Sequence, residues 1–242
     1  ILMPFRRDIQ EYIQDYCIKH LPNENWIDNE FGFIKDEILR QRIETEYKNA
    51  RYLYKIFEGL NVEGEMLLAE VRLQILMYAS IYETILHYIL FDEYYKENKD
   101  VKDLLIQKTL KPYDIPQKSL MKISNELNHD QKDIIPCFKT TVKRDITKIR
   151  FEEKCLVAKK IGILGDIKLD MEKIDEQTGM RINSINLCED LIKIYELRNA
   201  IHIHAELKKE IEYHLYMSKL AYKRMRPFID QVKRKLKQDN MI

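Results

Sequence analysis

The sequence predicts an all-α protein, an antiparallel helical bundle, and three observations carry that expectation. Glycine and proline are scarce, six of each in 242 residues, so little is available to build long irregular connections. Lys, Glu, Ile and Leu abound, which is the composition of long amphipathic helices. Apolar residues recur at three- and four-residue steps through two long stretches, about 65 to 96 and 206 to 236. With 45% apolar residues the chain can close one sizeable core, or a core with an attached subdomain.

Taken in order, residues 5 to 20 read as a short amphipathic helix, and Asn23, Glu24, Asn25 and the only tryptophan, Trp26, as a turn. A second helical stretch covers 33 to 58, with Ile34, Ile38, Ile43, Tyr47, Leu53 and Phe57 near helical spacing; Gly59 to Gly64 punctuates it. The helix over 65 to 96 carries its stripe at Leu68, Val71, Ile75, Tyr78, Tyr82, Ile85 and Ile89. Apolar residues off that stripe predict burial on more than one side. Pro112, Pro116 and Pro136 cut 98 to 136 into short pieces. The alternating run from Thr140 to Phe151 suggests a small β-hairpin around Lys143–Asp145. Residues 151 to 162 return to helix, Gly162 to Asp166 turns, and Leu187, Leu191 and Ile194 lead a helix towards Arg198. A final stripe through Leu207, Leu215, Ala221, Ile229 and Leu236 predicts about eight helical turns from Glu206 onwards, kinked at Pro227.

Forty-one basic residues oppose forty acidic ones, so no global field draws in a polyanion; contact with nucleic acid needs a local patch or a composite site. Cys17, Cys137, Cys155 and Cys188 form no CxxC pair. That argues against a zinc cage or a disulfide framework and fits reduced thiols in a cytoplasmic protein. The stretch nearest to a membrane span, Val71 to Leu90, is interrupted by Arg72, Gln74, Glu83 and His87. Ile1 to Phe5 lacks the long apolar core of a signal peptide.

The chemistry concentrates in Glu196–Leu197–Arg198–Asn199–Ala200–Ile201–His202–Ile203–His204, at the junction of two helical segments. On a continuous helix Arg198 and His202, four apart, share a face. His204, six apart, meets Arg198 only if the helix breaks or restarts near Ile203.

This stretch resembles the signature of HEPN proteins, an Arg, often followed by Asn, with a His after four to six intervening residues. Arg198 and Asn199 match, and His204 completes the spacing; Arg-Asn-x-Ile-His-Ile, with His202, is also similar to a variant of it. Both histidines therefore stand as candidates for the acid–base residue. Upstream, Tyr78–Ala79–Ser80–Ile81–Tyr82–Glu83 resembles the early HEPN helix, in which an acid faces the motif arginine, and Glu83 is the candidate. The resemblance covers about 65 to 96 and 183 to 238. It implies an N-terminal helical extension (1–62) and a HEPN-like helical domain (63–242) with an insertion at about 97–180. It further implies a metal-independent endoribonuclease without cofactor, in which Arg198, Asn199, Glu83 and His202 or His204 serve catalysis on RNA. Family habits add a homodimer, a toxin or antiviral-defence role, and an antitoxin or regulatory partner.

Plainer readings compete. Arg198, Asn199 and His202 can form a structural junction, or a HEPN fold can have lost catalysis and bind protein or RNA. The His202-x-His204 pair, with His214 or Cys188, suggests a metal site, although helical ligands prefer a four-residue step. The run Lys223, Arg224, Arg226, Lys233, Arg234, Lys235 and Lys237 is either an RNA contact or a solvated helix face. Glu83 is equally readable as a helix-surface acid.

Overall fold

The computed structural model describes residues 5–21, 24–174 and 181–242. It is mostly helical, with two small antiparallel ladders. The helices are α1 (Arg7–Lys19), α2 (Glu24–Phe31), α3 (Glu37–Gly59), α4 (Gly64–His87), α5 (Lys99–Leu104), α6 (Gln117–Leu127), α7 (Phe151–Lys160), α8 (Leu187–Asn199), α9 (Ile203–Lys209) and α10 (Leu215–Gln238).

The centre of the molecule is α4. Val71, Ile75, Tyr78, Tyr82 and Ile85 are buried, and so are Gln74, Ala79, Ile81 and Leu86 off that stripe, so the helix is enclosed on several sides. The helices α3, α8 and α10 pack against it, and α7 closes over α4 and α8. Buried tyrosines tie these elements by their hydroxyls. Tyr82 donates to the carbonyl of Ala221 in α10 (2.6 Å), and Tyr213 donates to that of Leu197 in α8 (2.9 Å). A buried hydroxyl that finds such a partner avoids the penalty of an unmet polar group. Beyond His87 the helix widens into a π turn, Tyr88–Asp92. That turn lets the consecutive residues Tyr88, Ile89, Leu90 and Phe91 all be buried, which an α-helical period does not favour.

Several expectations are corrected. The stretch read as a turn starts α2 at Glu24, because Ile27 and Phe31, one helical turn apart, both enter the core. The hairpin around Lys143–Asp145 does not form. Asp145 instead accepts from the Thr147 amide (3.0 Å) and hydroxyl (2.8 Å), setting a 3₁₀ turn over Ile146–Lys148. The strand before it, β2 (Cys137–Lys143), pairs with the distant β1 (Ile106–Pro112) in register Ile106 to Lys143. A second ladder, β3 (Asp166–Ile174) with β4 (Arg181–Asn186), stands where no strand is expected. The long final stripe is split: α9 ends at Glu210 in the left-handed conformation (φ 50°), and α10 starts afresh at Leu215. Pro227 lies inside α10, which continues through it.

One core joins Ile27, Phe31, Ile43 and Tyr47 from the expected extension with Phe151, Cys155 and Ala158 from the expected insertion. Both segments therefore help to build the central core. By contrast, Leu110 of β1, Met121 and Leu127 of α6, and Phe138 of β2 stay exposed.

The packing predicts a graded cost. Ile85→Ala, at a fully buried site on α4, lowers unfolding free energy by about 2–5 kcal/mol. Ile38→Ala, at an 83% exposed site, changes it by less than about 0.5 kcal/mol. Urea denaturation of both variants checks this.

Candidate functional site

The site is assembled from the end of α8, the middle of α4 and the start of α7. Asn186 caps α8, its side chain accepting from the Glu189 amide (3.3 Å), and the helix then runs to Asn199 with Leu187, Leu191 and Ile194 inward. That orientation leaves Tyr195, Arg198 and Asn199 at the protein surface or just beneath it. Tyr195 stacks on Phe151 of α7, ring centroids 4.3 Å apart at 21°.

A chain of polar contacts crosses the three helices. Lys154, 5% exposed in its side chain, approaches Glu83 Oε1 at 3.5 Å. The Tyr195 hydroxyl donates to Glu83 Oε2 (3.0 Å) and accepts a long bond from Arg198 Nη1 (3.5 Å). Arg198 Nη1 also donates to Asn199 Oδ1 (2.9 Å), and the guanidinium lies 5.1 Å from the Tyr195 ring centre. The expected direct pairing of Glu83 with Arg198 is therefore replaced. Glu83 takes Lys154 as its ion partner, and it reaches Arg198 only through the Tyr195 hydroxyl. Burial, followed by the Glu83 carboxylate, raises the Tyr195 phenol above its ordinary range, so it stays protonated as the donor in this chain.

Beside this chain lies a cleft of about 480 Å³, lined by Glu83, Tyr195, Glu196 and Asn199 on one side and by Lys148, Arg150 and Glu152 on the other. Both histidines lie beyond the break in the helix. Ala200 and Ile201 turn the chain, His202 stands at the N-cap of α9, and His204 lies in its first turn. Both imidazoles are exposed and have no hydrogen-bond, ion-pair or ring partner among the described residues. Their short helix is held to α4 by an ion pair between Arg72 and Glu206, with Arg72 stacked 5.2 Å from the Tyr213 ring centre.

The other candidates separate. Cys188 is buried in the core, and burial pushes its thiol up; His214 stacks on Tyr216. Among the described residues no three His, Cys, Asp or Glu side chains gather as a cation site. The basic run on α10 is largely paired: Arg224 with Asp190, Lys233 with Glu30, and Lys235 with Asp239. Arg224 and Lys233 tie α10 to α8 and α2, and Lys235 pairs within the end of α10, so these three do not form an open cationic strip.

No family model matches the chain, and comparisons with characterised proteins and with solved structures likewise return no match. The site must be read from its own chemistry.

Sequence reasoning missed Lys154, Tyr195 and Phe151. Lys154 left a trace, since it falls among Phe151, Cys155 and Ala158 on the apolar face of α7, where a lone ammonium needs a partner. Tyr195 sits one turn before Arg198, a spacing that places both on one face of α8.

Two outcomes follow. Glu83→Gln leaves the buried Lys154 ammonium without its counter-charge and lowers stability by about 1–3 kcal/mol, whereas Lys154→Met costs less than about 1 kcal/mol. Thermal and denaturant unfolding of both variants separates these values. His87, half-buried next to α7, has its pKa lowered by burial and then by Lys154. The unfolded chain therefore binds the extra proton first, and stability falls as pH drops below the ordinary histidine value of 6.5. In His87→Asn the stability slope between about pH 7 and 5 is shallower, as unfolding curves across that range measure.

Proposed function

We propose that this chain is a metal-independent endoribonuclease of the HEPN type that acts as a homodimer. One observation carries the reading: Asn199 and Tyr195, which line a 480 Å³ cleft, hold Arg198 just outside its lining, and two exposed imidazoles without a partner among the described residues follow it in the chain. The Arg-Asn-x-Ile-His-Ile-His sequence supports it independently.

RNA carries its own nucleophile. A neutral imidazole takes the proton of a ribose 2′-OH as that oxygen attacks the adjacent phosphorus. The P–O5′ bond breaks, and a protonated imidazole gives its proton to the leaving 5′-oxygen. The guanidinium of Arg198 binds the phosphate oxygens and stabilises the charge that grows on them. The products are a 2′,3′-cyclic phosphate and a 5′-OH.

Charge favours a two-copy site. In one copy the cleft is lined by Glu83, Glu152 and Glu196 as well as by Lys148 and Arg150, a poor lure for a polyanion. A second copy brings another Arg198 and another pair of imidazoles to the same phosphate.

One observation favours a second reading, a catalytically inactive helical module for protein or RNA binding. Arg198 already has partners within its own chain, as a purely structural arginine would.

Incubating the full chain with end-labelled RNA in excess EDTA decides between them. The nuclease yields fragments with cyclic-phosphate ends, and Arg198→Ala slows cleavage at least about 100-fold. A comparable loss in His202→Ala or His204→Ala identifies the acid–base histidine. Intact RNA with wild-type protein, or undiminished cutting by Arg198→Ala, rejects the nuclease in favour of the module. Cutting that chelation abolishes rejects the metal-independent mechanism.

A further inference from the structure

A second cavity, of about 220 Å³, lies between α3, α4 and α10. Its walls include Arg51, Tyr54, Gln74, Tyr78, Lys219 and Tyr222. Two polar groups on those walls are buried and lack an acceptor among the described residues: Nε of Arg51 and the hydroxyl of Tyr78, which the Arg51 guanidinium approaches as a donor, leaving the phenol's own proton without an acceptor. Tyr78 is 0% exposed, so bulk water does not reach its hydroxyl. Buried groups of this kind are rare and mark a place where something else completes the bonding.

The chemistry of the missing partner can be narrowed. Arg51 Nε is a donor only, and the Tyr78 phenol, raised by burial and by Tyr47, keeps its proton and can donate as well. The occupant is therefore an acceptor. The guanidinium face lies 4.4 Å from the Tyr222 ring centre, which leaves its edge to offer parallel N–H bonds. Local charges fix the sign and size of the occupant's charge. Lys55 pairs with Glu58, and Lys219 lies within electrostatic reach of buried Glu70. Arg51 is the surplus positive charge. The volume holds about seven water-sized groups, too few for a nucleotide. Three tyrosine rings on the walls suit an aromatic or branched apolar body.

We propose that this cavity binds a small organic monocarboxylate. Its carboxylate accepts from the Arg51 guanidinium edge and the Tyr78 hydroxyl, and its apolar body lies among Tyr54, Tyr78 and Tyr222. The site is separate from the cleft lined by Tyr195 and Asn199: Gln74 and Tyr78 face the cavity from α4, while Glu83 faces the cleft. It does not depend on the nuclease reading.

Benzoate serves as the probe, titrated into the full chain by calorimetry and by amide chemical-shift mapping. The expected result is saturable binding that shifts the amides of Gln74, Ser218 and Lys219 and leaves those of Arg198 and Asn199 unmoved. Benzamide, isosteric but neutral, binds at least tenfold more weakly, and so does benzoate to Arg51→Met. Arg51→Lys, which keeps the charge without the fork, is weakened as well and serves if Arg51→Met fails to fold. Tyr78→Phe loses affinity while retaining its fold. The proposal is overturned if benzoate does not saturate, if benzamide binds equally well, or if the Arg51 variants bind like wild type. Displacement of benzoate by inorganic phosphate overturns it too, since the pocket would then be a general anion site.

Discussion

Everything in this molecule depends on burying α4. A helix with apolar residues on more than one side cannot rest on a surface, and water around it costs roughly 25 cal/mol for each Å² of apolar area left exposed. The chain answers by surrounding it with α3, α8 and α10 and closing the remaining side with α7. Each neighbour is then fixed in place by a polar tie that only a buried helix can enforce. Tyr82 reaches α10, Gln74 donates to the Ala50 carbonyl of α3 (2.9 Å), and Glu83 meets Lys154 of α7 and Tyr195 of α8. Both cavities described above open where the packing around α4 leaves room.

The site inherits its geometry from this arrangement. Arg198 is oriented because α8 must turn Leu187, Leu191 and Ile194 inward, which leaves Tyr195 and Arg198 near one another on the outer face. The helix must stop at Asn199, since the chain has to turn before α10 can pack on α4. That stop puts His202 and His204 on a separate short helix, so the imidazoles are neither stacked above Arg198 nor drawn into the core.

Much of this was legible in the residues. The period of Val71, Ile75, Tyr78, Tyr82 and Ile85, together with apolar Ile81 and Leu86 off the stripe, announced a helix buried on several sides. The junction of two helical segments within Glu196–His204 was read from the sequence, and the chain does turn there, between Asn199 and Ile203. Other features hid for physical reasons. The ladder of β1 and β2 joins segments separated by α6: the alternation from Thr140 marks the end of β2, but nothing local names so distant a partner. The second ladder did leave a period-two signal, Ile167, Leu169 and Met171 between charged residues, in a stretch that carries no helical stripe. The split between α9 and α10 was masked because Leu207 continues the spacing of the α10 stripe yet lies in solvent. The pairing of Glu83 with Lys154 was out of reach because it depends on where α7 docks, a tertiary outcome.

The short helix bearing His202 and His204 has an unusual suspension. It ends at Glu210, a side-chain-bearing residue in a conformation that costs roughly 1 kcal/mol without the freedom of glycine. One side-chain tie to the body is the part-buried pair of Arg72 and Glu206. Such a pair answers to its surroundings: dissolved salt weakens it, and relaxation of the left-handed residue favours its release. The pose of the two imidazoles is thus coupled to ionic strength, although the bundle that carries them is held by apolar contacts that salt does not weaken.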